Sequence, residues 1–231
     1  MKLKELLYHF IGLLYPSICC ACGENLTIGE EVICLKCLYH LPKTKLHLEP
    51  ENKLEKRFWG KVEIERVTAF YYFEKGSDFQ KIIHKLKYKD GKDIGYTMGK
   101  YAGSELLDSP DFHNFDFIIP VPLHPKKMAK RGYNQAEWIA IGLSEVMNVP
   151  IETTNLFRAI ENPTQTKKSV YERWENTKGI FDIHDLQLFE NRRILIVDDV
   201  LTTGATLIAC AEAVLEKCPT AKISFFTLAA A

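Results

Sequence analysis

The chain has 231 residues, 46% of them hydrophobic, and its 30 Lys and Arg are balanced by 30 Asp and Glu. That length suits about one or two domains with a real core, and the charge balance excludes a global field that would by itself draw nucleic acid or an anionic membrane. No stretch approaches the ~18 to 20 apolar residues of a membrane span, so the expectation is a cytoplasmic protein.

The first residues are basic and then apolar, as in a secretory leader, but Glu5, His9 and Pro16 interrupt the run and no small-x-small cleavage site follows. Leu3, Leu6, Leu7, Phe10 and Leu14 recur at helical spacing and predict an amphipathic docking helix.

Five of the seven cysteines crowd between Cys19 and Cys37. An extracellular disulfide framework would spread an even number along a shorter chain. Cys19-x-x-Cys22 and Cys34-x-x-Cys37 form two knuckles, and Gly23 allows the tight turn that such knuckles use. Four thiolates close a tetrahedral zinc shell with no position left for water, which predicts a structural Zn²⁺ site on Cys19, Cys22, Cys34 and Cys37. Zinc binding at about 10 to 16 kcal/mol is enough to fold a module too small for its own core. Cys20 is the spare, and His40 would replace Cys37 only by spoiling the second knuckle. A redox reading of the Cys-x-x-Cys pairs is weaker, because no helix start is evident after Cys19 or Cys34 to lower a thiol pKa.

Residues 41 to 60 are charged and marked by Pro42 and Pro50, as a linker is. The expected division is therefore an N-terminal helix, zinc ribbon and linker over 1–60 and an α/β domain over 61–231. Val62 to Phe73 predicts a strand, and Ser77 to Tyr88 a helix with Phe79, Ile82, Ile83 and Leu86 on one face, ended by a turn at Asp90-Gly91. A helix from about Asp93 to Leu107 follows, then a strand, Phe117-Ile118-Ile119, that stops at Pro120-Val121-Pro122. A helix from about Tyr133 to Met147 precedes a polar stretch, Arg158 to Lys178, with no apolar period, which reads as a mobile excursion. Ile194 to Val197 is a strand buried on both faces, Thr206 to Leu215 a helix, and Ile223 to Leu228 a last strand. Helices alternating with buried strands imply a parallel sheet.

The strand Ile194 to Val197 delivers Asp198 and Asp199 to the carboxyl edge of that sheet, where open α/β folds bind ligands. Thr202, Thr203, Gly204, Ala205 and Thr206 follow, able to offer backbone N–H groups at a helix start together with hydroxyl donors. A helix start favours an anion by about 0.3 to 1 kcal/mol, up to ~2 when partly buried, and charge-assisted hydrogen bonds add to it. Carboxylates followed by a phosphate cradle suit ribose 5-phosphate, the acids accepting from vicinal hydroxyls. A paired Asp can instead hold a divalent metal, and Thr-Thr-Gly can simply cap a helix. The cradle lacks the Lys of a Walker loop and the spacing of a dinucleotide turn.

With Ile83 to Lys89, Pro120 to His124, Arg131 to Ala136, and Thr164, Gln165, Arg173, Asn176 and Phe181 in the same order, the chain resembles the ComF family over almost its whole length. The resemblance implies a type I phosphoribosyltransferase fold, a parallel sheet flanked by helices with a hood over the site and an N-terminal zinc ribbon. It implies a site for phosphoribosyl pyrophosphate (PRPP), with Asp198 and Asp199 on the ribose, Thr202 to Thr206 on the 5'-phosphate, and Pro120, Val121, Pro122 and Leu123 as the pyrophosphate loop. Lys126, Lys127 and Arg131 would supply cations beside that loop, and Asp198, Asp199 and Arg131 are the expected catalytic set. Within the hood Ile160, Asn162 and Lys168 depart from the family's usual basic, Thr and Leu residues, which leaves the acceptor unassigned.

Two functions follow. In the first, an acceptor displaces pyrophosphate from PRPP while Mg²⁺ offsets leaving-group charge, and Arg158, Gln165, Lys167 and Arg173 close over the site to exclude water; no residue stands out as a general base. In the second, the chain binds single-stranded DNA or proteins of the competence machinery, with Tyr88 and Tyr133 beside Lys87, Lys89 and Arg131 for stacking and backbone pairing.

Overall fold

A computed structural model describes residues 17–88, 91–159 and 179–231. In chain order these form α1 (Leu35–His40), β1 (Arg66–Tyr72), α2 (Gln80–Lys85), α3 (Gly91–Leu106), β2 (Phe117–Pro120), α4 (Pro125–Arg131), α5 (Gln135–Met147), β3 (Leu156–Arg158), β4 (Phe181–Ile183), β5 (Arg193–Leu201), α6 (Ala205–Lys217) and β6 (Lys222–Ala230). The expected docking helix before residue 17 and the polar residues 160–178, with Ile160, Asn162, Thr164, Gln165, Lys167, Lys168, Arg173 and Asn176, lie outside the described residues, as do Lys89 and Asp90.

β1, β6, β5 and β2 lie side by side in that order, every neighbouring pair parallel. The apolar run of β5 is explained by its place inside the sheet. Ile194 and Ile196 pack with Ile208, Ala211 and Phe225 of one core cluster, and Leu195 and Val197 pack with Met98, Ile139 and Leu143 of the other. A strand covered on both faces has no polar position to spare. This is a parallel sheet flanked by helices, the architecture that the resemblance implies.

On one face α3 and α5 pack backbone to backbone, because any side chain at Gly142 would collide with the carbonyl oxygen of Tyr96. Asn134 fixes where α5 begins: its side chain accepts from the Ala136 amide at 3.2 Å, and its Nδ2 donates to the Val121 carbonyl at 3.0 Å.

Residues 41 to 60 are built into the structure. The Thr44 amide donates to the Phe70 carbonyl and the Tyr72 amide to the Pro42 carbonyl, while Leu46, Leu54 and Phe58 are buried. Buried Glu55 accepts from Arg66 Nε at 2.7 Å, and Asn52 Nδ2 donates to the Val67 carbonyl at 2.9 Å. The polar residues that suggest a linker are thus internal partners of β1, which composition alone does not reveal.

Other differences are local. β1 begins at Arg66 rather than near Val62, and α2 keeps helical geometry only from Gln80 to Lys85, with hydrogen-bonded turns on either side. β5 runs on to Leu201 because β6 pairs with it as far as Ala230. α4, capped by His124 with Pro125 at its first position, and the β3–β4 pair were not expected, being too short to show a hydrophobic period. Among the described residues no helix is long and apolar enough to cross a membrane.

Candidate functional site

β2 ends at Pro120, opposite Val197, whereas β5 and β6 remain paired to Leu201. From Asp198 onward, therefore, β5 has no β2 neighbour, and a cavity of about 240 Å³ opens there. Asp198 and Asp199 line it, together with Val121, Pro122, Leu123 and Arg131. Pro120 is the buried last residue of β2, one step behind the loop.

Of the five cradle residues only Thr206 lines the cavity. Thr202 and Thr203 are exposed beside it, Gly204 is buried, and the Thr203 hydroxyl accepts from the Ala205 amide at 3.4 Å. Gly204 stands before α6 at φ 81°, a conformation that favours glycine. Arg57, from the segment before β1, holds the loop by donating from Nη1 to the Thr202 carbonyl at 3.1 Å and the Ala231 carbonyl at 3.0 Å.

The acidic pair is electrostatically strained. Burial, then the neighbouring Asp199 carboxylate, pushes Asp198 up to about 8. The Asp199 amide, 2.8 Å from Asp198 Oδ1, and the ammonium groups of Lys127 and Lys87 pull the other way. A ligand that brings hydroxyl donors or a cation would favour the charged form.

Lys87, His124, Lys127, Asn134, Gln135 and Arg158 also line the cavity; the sequence points to Lys127 beside the 120–123 loop and to Arg158 over the site, but not to the other four as lining residues. The signal for Lys87, Asn134 and Gln135 lay in the runs 83–89 and 131–136, but no period or composition marks them as lining residues. Tyr133 directs its hydroxyl at the carbonyls of Leu86 and Tyr88, 2.6 Å from the latter, and so fixes the segment that carries Lys87. Arg158, at the end of β3, sits 5.4 Å from the Phe181 ring centre, and burial lowers its guanidinium pKa.

The sulfurs of Cys19, Cys22, Cys34 and Cys37 lie within 4.8 Å of one another. Cys22 Sγ and Cys34 Sγ are 3.9 Å apart, close to the roughly 3.8 Å edge of a tetrahedron with zinc–sulfur bonds of about 2.3 Å. The Cys34 amide faces Cys19 Sγ and the Cys37 amide faces Cys34 Sγ, each at 3.4 Å. Gly23 makes its turn at φ 83°. This donor set is compatible with zinc. Contrary to expectation, a helix does follow Cys34, which caps α1. Its thiol is nevertheless pushed up by burial, and α1 has only six residues. Cys20 stands apart from the cluster, buried and pushed up to about 12 by that burial.

Residues 128–231 match the family described as "Phosphoribosyl transferase domain". The chain is similar to Competence protein F of Haemophilus influenzae, 32% identical over 54% of this chain and 57% of that protein. It is also similar to Competence protein ComFC of Bacillus subtilis, 36% identical over 63% of this chain and 57% of that protein. The match thus spans little more than half the length of these two relatives. DNA utilization protein YhgH of Escherichia coli strain K12 is 27% identical over 88% of this chain and 92% of that protein. Among solved structures, adenine phosphoribosyltransferase from Saccharomyces cerevisiae aligns at 17% identity and a TM-score of 0.38, covering 69% of this chain and 82% of that one.

Proposed function

From the premise that the chain is a ComF-family protein with a phosphoribosyl transferase domain at residues 128–231, we propose that it binds PRPP and transfers its 5-phosphoribosyl group to an acceptor, releasing pyrophosphate. One observation carries this reading: the end of β5 without a β2 neighbour puts Asp198 and Asp199 into the same cavity as the loop after β2 and the first turn of α6. Hydroxyl acceptors, a loop at a strand end and a helix start are the three recognition elements that a sugar with a phosphate at each end requires.

In this reading Asp198 and Asp199 accept from the ribose hydroxyls, residues 202 to 206 hold the 5'-phosphate, and residues 120 to 123 hold the pyrophosphate. Arg131, Lys127 and Lys87 offset charge that builds on the leaving oxygen when the anomeric C–O bond breaks and the acceptor's bond forms. Mg²⁺ bound with PRPP would add to that screening, and the two carboxylates are suited to face a ligand that carries it. The four-cysteine cluster holds a structural Zn²⁺, and the protein works in the cytoplasm. Calorimetric titration of PRPP with Mg²⁺ into wild type and the Asp198→Asn, Asp199→Asn double variant tests the site. Binding to wild type and its loss in the double variant is expected; equal heats from both proteins would overturn the site.

A second reading is favoured by a separate feature. α4 carries Lys126, Lys127, Lys130 and Arg131 and no acidic residue, and Tyr88, 59% exposed and 5.1 Å from the His84 ring, stands beside Lys87. Such a surface suits single-stranded DNA, with PRPP as a signal, and accords with relatives named for competence and DNA utilization. Tyr133 has no part in it, since it is 5% exposed. A steep fall of DNA affinity with salt, weakened by Lys126→Ala and Lys130→Ala, is the expected result.

A further inference from the structure

Gln135, the first residue of α5, is only 2% exposed yet lines the cavity. Its Oε1 accepts from Arg131 Nη1 at 2.6 Å. A guanidinium only donates, so the atom facing Arg131 must be the amide oxygen, and Nε2 is turned away from it. That Nε2 has no hydrogen-bond partner among the described residues. Buried polar groups are almost always paired, so an orphaned donor in a cavity wall points to a missing acceptor.

A second donor tells the same story from another element. Arg158, at the end of β3, lines the same cavity, and its buried Nε has no hydrogen-bond partner among the described residues. Asp198 and Asp199 line it too, yet neither carboxylate pairs with these donors. Two N–H groups, with Lys87 and Lys127 beside them, call for an anionic oxygen that no described residue supplies.

We infer that Gln135 is a ligand-binding residue whose Nε2 donates to a non-bridging oxygen of the pyrophosphate group, with Arg158 as the second donor. The inference rests on the PRPP reading and specifies which part of that ligand Gln135 meets. Asn134, its chain neighbour, is tied to the Val121 carbonyl, so Gln135 is fastened to the 120–123 loop rather than to the 202–206 loop at the other wall. Its bond to Arg131 serves to aim the amide, and the two side chains act as one unit.

The test is calorimetric titration of inorganic pyrophosphate and of ribose 5-phosphate, each with Mg²⁺, into full-length wild type, Gln135→Glu and Gln135→Met. Gln135→Glu keeps an oxygen for Arg131 but replaces the free donor by an acceptor and adds a negative charge, whereas Gln135→Met removes both oxygen and donor without adding charge. Loss of a charge-assisted hydrogen bond predicts a roughly tenfold or greater fall in pyrophosphate affinity in both variants, with ribose 5-phosphate affinity within about threefold of wild type. Wild-type pyrophosphate affinity in either folded variant would overturn the inference; retained by Gln135→Glu alone it would reduce Gln135 to a prop for Arg131. If wild type binds ribose 5-phosphate but not pyrophosphate, the inference fails and the 5'-phosphate part of the site survives. If it binds neither these nor PRPP, the inference and the reading beneath it fall together.

Discussion

Gly204 closes onto the ring of Phe58 so tightly that a Cβ added to the glycine would lie 2.9 Å from Cε1 and Cζ. Phe58 is fully buried, 5.0 Å from the Phe225 ring centre. A residue from the stretch before β1 therefore forms the floor beneath the loop that leads into α6.

Gly204→Ala meets two obstacles, the aromatic floor and a positive φ. Its expected cost is roughly 1 to 3 kcal/mol of unfolding free energy, with a weaker response to ribose 5-phosphate than wild type. Chemical denaturation of both proteins with and without the ligand checks this. A variant as stable as wild type would show that the loop moves freely away from Phe58.

Arg57→Ala removes two side-chain bonds to backbone carbonyls while leaving the core intact. The melting temperature should shift little, and ribose 5-phosphate affinity should fall by roughly threefold to tenfold, as for loss of about one net hydrogen bond. Unchanged affinity would mean that the 202 loop needs no such tether.

Glu55 is a buried carboxylate engaged by Arg66 Nε, by the Val67 amide at 3.2 Å and by the Asn52 amide at 3.1 Å. Glu55→Ala leaves Arg66 with Asp111 and the His47 and Glu49 carbonyls but removes the carboxylate that joins it to Asn52 and Val67, and should cost roughly 2 to 4 kcal/mol. Urea unfolding measures it, and a cost below about 1 kcal/mol would mean that residues 41–60 are not part of the cooperative unit.

Asp198 provides a pH test. Between its ordinary 3.8 and the folded value of about 8, the folded chain keeps a proton that the unfolded chain has lost. Its contribution to stability therefore falls as pH rises through that window and levels off above it. Asp198→Asn should melt above wild type at pH 8, with the gap closing toward pH 4. A gap independent of pH would show that Asp198 is ordinarily ionised in the folded state.

Purified protein should carry one zinc per chain by elemental mass spectrometry. Cys20→Ser should keep that zinc, and Cys34→Ser should lose it and unfold its module, because structural zinc binding is also folding energy. Metal retained by Cys34→Ser would remove the four-thiolate shell.

Much of the fold was legible because it is written in local periods. The unbroken Ile194 to Val197 run marks a strand buried on both faces, and the helices expected near Asp93 to Leu107 and Tyr133 to Met147 supply the Met98, Ile139 and Leu143 that cover it. α4 and the β3–β4 pair carry no such period, and Asn52 and Glu55 look like surface residues until Arg66 and the β1 backbone are placed beside them.

By itself the chain specified the element types, the four-cysteine knuckles and the Asp198-Asp199 pair ahead of a turn, since each depends on neighbours a few residues away. Only the tertiary structure decided that β2 stops short beside Val197, that Phe58 lies under Gly204, and that Lys87, Gln135 and Arg158 share a cavity with the acids. Those relationships join residues from 40 (Arg158 and Asp198) to 146 (Phe58 and Gly204) positions apart, and burial and hydrogen-bond satisfaction between such residues have no period along the sequence.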